Sequence, residues 1–309
     1  MTTTSVLTLH TAIGSYGHHA ALKDGSLKLD RIGFNFEDVS PITTAFRRMC
    51  RNLDFDISEM AITTYLTAKT YGKAFTAIPI FPVRGFAHNA AVGNTKAGVN
   101  GPKDLEGKKA GVRAYTVTTG VWARGILASE YGVDLNKVTW VLADEEHVDD
   151  FHKDAPPNAQ YQLGADLGKM LAEGELAAGI GVGRVESPDV KPVIPNAGAA
   201  AKAYYTDKGI YPINHTVVVK NELLEAHPWL AGALFEAFKE SKEKWLASAS
   251  DEDKKKVGAD FIEGDPLPIG IANNRKALET IAGFAYDQKI TKQRYTPEDM
   301  FAKGTLNLS

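Results

Sequence analysis

Residues 108–127, KKAGVRAYTVTTGVWARGIL, place a strand, a turn rich in hydroxyl groups and a helix in direct succession. Residues 110–112 are typical of a short buried strand, and residues 121–131 carry apolar side chains at near-helical spacing. Thr118 or Thr119 stands where the N-cap of this helix belongs. A helix N-terminus that follows a strand directly presents unpaired N–H groups and the positive end of the helix dipole. The run predicts an anion site, although an ordinary capped helix would have the same pattern.

Segments typical of strands and helices alternate over most of the chain. Apolar runs at residues 6–9, 75–81 and 177–182 predict strands, and residues 211–219 contain four β-branched residues in succession. Such alternation predicts an α/β protein built on parallel sheets with right-handed crossovers. In open sheets of this kind, ligands bind at the carboxyl ends of the strands.

The length of 309 residues is sufficient for two domains of about 100–200 residues each. A turn cluster, GPKDLEG, marks the entry to the second of them. We predict a lobe I of residues 1–97 plus 210–309 and an inserted lobe II of residues 98–209. Two crossing strands near residues 86–92 and 211–219 would join the lobes, with the ligand site between them.

Charge and composition exclude several classes of partner and location. Lys plus Arg total 35 against 38 for Asp plus Glu, so the net charge of −3 gives no reason to expect nucleic acid or an anionic membrane as partner. No window approaches 18 uninterrupted apolar residues, so we expect no membrane span. The first residues lack a positively charged segment followed by a long apolar core, which predicts a cytoplasmic protein. The oligomeric state is left open, and a homo-oligomer is compatible with the sequence.

Metal and nucleotide motifs are missing from the sequence. There is no HExxH, CxxC or GxGxxG motif, and the single cysteine, Cys50, excludes an internal disulfide and a thiolate cluster. His18 and His19 are adjacent, and neighbours on a regular element cannot both face one way. We therefore predict that no metal and no organic cofactor is required.

Cationic and imidazole side chains cluster near predicted strand ends. Arg84 and His88 follow the strand at residues 75–81, and Arg124 lies on the helix after the threonine turn. His215 lies inside the strand at residues 211–219, where a buried polar side chain needs a partner. Histidine is the commonest general acid, but a satisfied core histidine is the alternative for both imidazoles. For Arg124 the ordinary interpretation is an exposed surface residue of a helix.

The same stretches resemble a known family. Residues 81–88 (FPVRGFAH), 121–127 (VWARGIL) and 211–218 (YPINHTVV) are similar to segments of 4,5-dihydroxyphthalate decarboxylase and its relatives. Three further stretches share the resemblance, namely residues 55–60, 101–108 and 265–270. The resemblance implies the two-lobed fold of type 2 periplasmic binding proteins. It also implies a cytoplasmic enzyme of aromatic catabolism, a carboxy-lyase that removes CO2 from a hydroxylated aromatic acid.

The chain departs from the family pattern after its first strand. Relatives often carry Trp-x-Tyr-Asp-Arg there, whereas residues 14–18 read GSYGH and keep only the tyrosine, Tyr16. Arginine is the natural bidentate partner of a carboxylate. Its loss predicts a different substrate, with one carboxylate fewer or with a carboxylate elsewhere on the ring.

A phenolic carboxylate can lose CO2 without a cofactor when the ring carbon that bears it accepts a proton. We expect His215 or His88 to donate that proton, with His18 and His19 as second acid–base candidates. The side chains expected to contact the substrate are Arg84, Arg124, Tyr16, Tyr115, Thr116, Thr118, Thr119 and Glu59. Of these, Glu59 could instead orient a histidine.

Two other functions fit the same sequence features. One is a solute-binding protein of this fold that carries an aromatic or small carboxylate without reacting with it. The other is a lyase of the menaquinone-pathway type that acts on other ring carboxylates. The missing signal sequence argues against the first.

Overall fold

A computed structural model describes residues 6–262 and 264–309, and in this part of the chain eleven strands form two sheets. In chain order the strands are β1 (Leu7–Ala12), β2 (Ile32–Phe36), β3 (Ile57–Ala61), β4 (Phe75–Ile78), β5 (Ala91–Asn94), β6 (Lys109–Val112), β7 (Thr139–Leu142), β8 (Ala159–Tyr161), β9 (Ala178–Ile180), β10 (Val190–Pro192) and β11 (His215–Lys220).

Helices cover these sheets and account for most of the remaining regular structure. In chain order they are α1 (Ala20–Lys23), α2 (Thr43–Asn52), α3 (Ile62–Thr70), α4 (Thr118–Tyr131), α5 (Leu167–Glu173), α6 (Ala197–Lys208), α7 (Asn221–Ala226), α8 (Leu230–Ser248), α9 (Asp251–Lys256), α10 (Arg275–Asp287) and α11 (Pro297–Met300). None of the helices in the described residues is long and apolar enough to cross a membrane.

The first sheet has the strand order β2-β1-β3-β11-β4. Strands β1, β2 and β3 are parallel, and β11 runs antiparallel to both β3 and β4. Apolar side chains such as Leu9, Ile57 and Val217 are buried on this sheet, where Leu234 and Phe235 of α8 belong to the same core. Their burial supplies the hydrophobic stabilisation of this part of the chain.

The second sheet has the order β10-β5-β9-β6-β7-β8. Strands β6, β7, β8 and β9 are parallel, and β5 runs antiparallel to β9 and β10. Parallel sheets were predicted, so the antiparallel strands β5 and β11 are a correction. The strand that precedes each of them in the chain belongs to the other sheet, so no right-handed βαβ unit fixes their direction.

The described residues form two compact units that differ from the predicted lobes. Unit 1 comprises those within Met1–Gly85, Ile213–Glu279 and Tyr295–Ser309; unit 2 comprises Phe86–Pro212 and Thr280–Arg294. The chain thus passes between the units four times, whereas two crossings were predicted.

Two sets of contacts explain the difference. Strand β5, which the prediction placed in lobe I, pairs with β9 and β10 of the second sheet. The second half of α10 packs on α4, where Phe284 contacts Trp122 edge-to-face at 5.7 Å and Gln288 Nε2 donates to the carbonyl of Val121 at 2.9 Å. The predicted extended run at residues 86–92 is a strand only from Ala91 onward.

Candidate functional site

A buried carboxylate, Glu59, is the centre of a polar cluster in unit 1. Its Oε1 accepts a hydrogen bond from the Tyr16 hydroxyl at 2.8 Å and lies 2.5 Å from His215 Nδ1. Its Oε2 accepts from the Gly14 N–H at 2.8 Å. Glu59 has 0% exposure. Because a buried charge needs partners, these three donors make it possible to keep a carboxylate inside the fold.

The register between β3 and β11 brings Glu59 and His215 together. Val217 lies opposite Glu59, and His215 lies opposite Ala61 two residues further along β3. Side chains two residues apart on a strand share a face, so Glu59 and His215 are diagonal neighbours on one face of the sheet. Tyr16 comes from the loop that follows β1, the parallel neighbour of β3.

Two opposing effects act on the pKa of Glu59. Burial raises it, but the hydrogen bond and charge of His215, the charge of His19 and the Gly14 N–H together lower it below the usual range. Glu59 is therefore anionic at neutral pH. Burial, the charge of Glu59 and the hydrogen bond to Glu59 all raise the pKa of Tyr16, which stays a neutral phenol that donates to the carboxylate.

One ring nitrogen of His215 is engaged and the other is open. Nδ1 faces Glu59, while Nε2 makes no hydrogen bond to any described residue. The side chain keeps 17% of its surface exposed, and the Phe46 ring packs edge-to-face against it at 5.0 Å. A carboxylate on Nδ1 fixes the orientation and tautomer of a histidine, so Nε2 is the atom available for proton exchange.

His18 and His19 lie beside this cluster on a short 3-10 turn, Gly17–His19. Both are buried, and their rings meet edge-to-face with centroids 4.5 Å apart. The expectation that neighbouring histidines face different ways applies to a regular strand or helix, whereas this tight turn brings the two rings into contact. Within residues 6–262 and 264–309, no group of three or more His, Cys, Asp or Glu side chains is placed to hold a metal ion.

Both histidines are neutral at neutral pH. Burial, reinforced by the charges of His19 and Lys242, lowers the pKa of His18 to about 2 despite an acceptor at the Pro82 carbonyl. Burial lowers the pKa of His19 to about 4, against the charge of Glu59 and the Gly14 carbonyl. If His18 and His19 act as second acid–base residues, as predicted, their rings must therefore do so from the neutral form.

These shifts predict a loss of stability in mild acid. In the unfolded chain both histidines have the ordinary pKa of 6.5 and take up protons below that pH. In the folded protein His19 takes up a proton only near pH 4. The free energy of unfolding should fall by about 1.4 kcal/mol per pH unit for each histidine as the pH drops through this window. Thermal unfolding at pH 7 and pH 5 should show a smaller pH effect in His19→Gln than in the wild type. The matched control is His152→Gln, which alters an exposed histidine; an equal pH effect in all three proteins would contradict the prediction.

A cavity of about 440 Å³ adjoins the cluster within unit 1. Its lining includes Tyr16, His18, Arg84, Trp245 and Lys256. The volume falls in the range of roughly 300–1,000 Å³ that is typical of small-molecule sites. Three of the predicted site residues thus border one cavity.

Arg84 is held in place at the edge of this cavity. Its Nη2 donates to the side chain of Asn274 and, at 3.3 Å, to the carbonyl of Pro268. The guanidinium carbon lies 5.4 Å from the centre of the Phe81 ring. These contacts fix a cationic group at the edge of the cavity.

Gly14 gives Tyr16 the room to reach Glu59. A Cβ atom at Gly14 would lie 2.4 Å from Cζ and 2.6 Å from the hydroxyl oxygen of Tyr16.

In Gly14→Ala the Tyr16 ring must move away, which breaks the hydrogen bond of its hydroxyl to the Glu59 carboxylate. We expect kcat/KM for the reaction proposed below to fall about 10-fold to 100-fold, the value of one hydrogen bond to a charged group. Gly198→Ala, where a Cβ meets no atom within 4 Å, should leave it unchanged. Equal rates in the two variants would show that Tyr16 is not needed.

The predicted anion site before α4, in unit 2, already holds a carboxylate of the protein. Glu146 accepts hydrogen bonds from the Tyr115 N–H at 2.6 Å, the Thr116 N–H at 3.1 Å and the Thr116 hydroxyl at 2.5 Å. It is buried, and burial raises its pKa despite these bonds and the charge of Arg124. Glu146 was missed because it lies in an acidic loop without periodicity.

Arg124 is fully buried in unit 2, contrary to the ordinary expectation of an exposed helical arginine. Its Nη2 donates to the Tyr115 carbonyl at 2.5 Å and its Nε to Gln288 Oε1 at 2.7 Å. The guanidinium carbon lies 4.1 Å from the centre of the Tyr115 ring and 5.2 Å from that of Trp140. Burial lowers its pKa, and Tyr115 and Glu146 oppose the shift. These contacts tie α4 to the loop before it and to α10.

The remaining predicted residues, Thr118, Thr119 and His88, belong to unit 2. Helix α4 begins at Thr118 with Val117 as its N-cap, so neither Thr118 nor Thr119 occupies the capping position. His88, in unit 2, is buried with its ring centroid 5.2 Å from that of Tyr204. Burial lowers its pKa against the charge of Glu130.

Comparison with known proteins identifies two similar decarboxylases; no family model matches the chain. A 4,5-dihydroxyphthalate decarboxylase of Comamonas testosteroni is 31% identical over 328 aligned positions, which cover 98% of each chain. A protein of the same name from Pseudomonas putida is 32% identical over 184 positions, covering 57% of this chain and 70% of its own.

Solved structures show the same fold at low sequence identity. The periplasmic aliphatic sulphonate-binding protein of Escherichia coli superposes with a TM-score of 0.56 at 9% identity, covering 98% of this chain and 99% of its own. A desulfurization enzyme has a TM-score of 0.56 at 15% identity and covers 96% of both chains. The predicted periplasmic-binding-protein fold is thereby confirmed.

Proposed function

Because the chain belongs to the family of 4,5-dihydroxyphthalate decarboxylases, we propose that it is a carboxy-lyase that removes CO2 from a hydroxylated aromatic acid. The observation that carries this proposal is the pair formed by buried, anionic Glu59 and His215, whose Nε2 is open. Tyr16, which donates to Glu59, also lines a cavity of suitable size for a single ring.

The reaction needs a proton at the ring carbon that bears the departing carboxylate. A hydroxyl group ortho or para to that carbon supplies electron density, and the carbon accepts a proton. The bond to the carboxylate then breaks, its electron pair returns to the ring, and CO2 leaves. The net change replaces a carboxylate by hydrogen and requires no electron acceptor.

The three clustered side chains have distinct roles in this scheme. His215 Nε2 donates the proton, and solvent restores it after each turnover. Glu59 holds Nδ1 and stabilises the imidazolium that carries the proton, as carboxylates do for catalytic histidines. Tyr16 is a positioning residue, because its hydroxyl fixes one oxygen of Glu59.

Arg84 would orient the acid from the edge of the cavity. Tight pairing between a cation and the departing carboxylate would stabilise the ground state more than the transition state, which loses that charge. Arg84, whose direction is set by Asn274 and Pro268, therefore suits a carboxylate that stays on the ring or one held loosely.

Incubation of the purified chain with 4,5-dihydroxyphthalate tests the proposal. We expect release of CO2, measured by gas detection, and formation of a dihydroxybenzoate, identified by chromatography. In a panel of related acids, we expect monocarboxylic hydroxybenzoates to serve as alternative substrates. A panel in which these acids bind but none releases CO2 would indicate a solute-binding protein and contradict the proposal.

A further inference from the structure

Trp245, on α8, lines the cavity of unit 1 and carries a hydrogen-bond donor without a partner among the described residues. Its side chain lines the cavity, and its indole N–H has no acceptor among the residues that the structure describes. The ring nitrogens His18 Nε2 and His19 Nε2 also lack partners but are fully buried, whereas the indole nitrogen is not. A tryptophan N–H can only donate, so the group that it serves must be an acceptor.

The position of this indole depends on Gly17. A Cβ atom at Gly17 would lie 2.2 Å from Trp245 Nε1 and 2.8 Å from Cδ1. The backbone and the indole can approach so closely only because residue 17 has no side chain. Since Gly17 directly follows Tyr16, the loop that positions Glu59 also sets the place of Trp245.

Trp245 extends an aromatic wall that leads toward the acid–base pair. Its ring meets that of His18 edge-to-face at 5.8 Å, and His18 stacks on Tyr16 at 5.1 Å with the planes 10° apart. Arg84 adds positive charge to the same lining, in which Lys256 is paired with Asp253 at 2.9 Å. This combination suits a flat anionic ring, with Arg84 for its carboxylate and the neutral indole N–H for another oxygen.

We propose that Trp245 is a specificity-determining residue whose indole N–H donates to a ring hydroxyl oxygen of the bound acid. The inference rests on the proposed function and names the part of the substrate that Trp245 selects. A donor to this oxygen stabilises the bound acid before and during ring protonation, so its effect falls on affinity and KM more than on kcat.

Ligand affinity measured by calorimetry tests the inference without turnover. The background is His215→Asn, with 4,5-dihydroxyphthalate and phthalate as a pair of ligands that differ only in the two hydroxyl groups. Adding Trp245→Phe keeps a ring in place but removes the donor. We expect it to weaken binding of 4,5-dihydroxyphthalate about 3-fold to 10-fold, the range for one hydrogen bond, and to change phthalate binding by less than about twofold.

A second variant and a control make the test specific. Gly17→Ala displaces the indole and should produce the same selective loss, which keeps the test valid if Trp245→Phe fails to fold. Trp229→Phe makes the same substitution in unit 1 away from the cavity lining and should change neither affinity.

Equal weakening of both ligands, or no weakening of either, in the folded variants would overturn the inference. Release of CO2 by the wild-type protein tests the proposed function separately. If the wild type turns over the hydroxylated acid but Trp245→Phe does not weaken its binding selectively over phthalate, the role of Trp245 is contradicted and the proposed function is not.

Discussion

Replacement of His215 by asparagine should reduce kcat/KM for decarboxylation about 100-fold to 10,000-fold, equivalent to roughly 3–5 kcal/mol of transition-state stabilisation. The side-chain amide of asparagine can still donate to Glu59 in place of Nδ1, so the buried carboxylate keeps its partner. What the variant loses is Nε2, the atom that we expect to carry the proton. Steady-state kinetics with 4,5-dihydroxyphthalate, together with a thermal unfolding curve, measure both consequences.

The unfolding midpoint and the ligand affinity of His215→Asn should stay close to those of the wild type. His152→Asn, which alters an exposed histidine of unit 2, is the matched control and should keep full activity. A His215→Asn protein that turns over at the wild-type rate, or that unfolds, would identify a structural histidine. The acid would then have to be sought at His88 or His18.

Replacement of Glu59 by glutamine should impair both catalysis and stability. The amide keeps the size of the side chain but loses its charge, and its NH2 group must face at least one of the donors from Tyr16, Gly14 and His215. We expect kcat to fall about 100-fold to 10,000-fold, as in other enzymes that lose the carboxylate behind a catalytic histidine. Loss of a hydrogen bond to this buried carboxylate should also lower the free energy of unfolding by about 1–3 kcal/mol, because a buried donor is left without its acceptor.

The pH dependence of stability distinguishes the effect of the Glu59 charge from the effect of the side chain's size and shape. The folded-state pKa lies below the ordinary value of 4.5, so this carboxylate stabilises the fold above that pH. The contribution is lost as the pH falls through the folded-state pKa. Glu59→Gln should therefore be destabilised most at neutral pH.

A control and a double variant complete this test. Glu37→Gln changes a partly exposed carboxylate that pairs with Arg48, and it should have little effect on kcat. The double variant His215→Asn/Glu59→Gln should lose no more activity than the worse single variant, because residues that act as a unit are not additive. Additive losses would show that Glu59 acts independently of His215.

The fold class and the family were predictable because both depend on local patterns. The β-branched run at residues 211–219 covers all of β11 except its last residue, and the amphipathic spacing around Phe46 and Met49 corresponds to α2. Apolar periodicity is a property of neighbouring residues and can be read without knowing the fold. Short edge strands such as β8 and β10 escaped prediction because three residues with partly exposed side chains carry no such pattern.

The arrangement of the polar cluster could not be predicted in the same way. Glu59 and His215 are 156 residues apart, and their contact depends on the antiparallel register of β3 with β11. A shift of one residue in that register would turn His215 to the opposite face. Single-sequence reasoning can nominate both residues but cannot fix the register that pairs them.

The division of the chain into compact units depends on long-range contacts of the same kind. Helix α10 is continuous in sequence pattern, yet its residues from Thr280 onward pack with unit 2. Glu146 and the loop at Thr116 show the same limit, because the partner of each buried polar group is distant in sequence. Long-range pairing of this kind has no signature in composition or periodicity.

A crystal structure of His215→Asn with 4,5-dihydroxyphthalate bound would test the central claim most directly. We predict that the ring lies in the cavity beside Tyr16 and Trp245, with a carboxylate-bearing carbon about 3–3.5 Å from the position of His215 Nε2 in the wild type. A ligand bound away from the Glu59 cluster, or with those carbons out of reach of residue 215, would contradict the account.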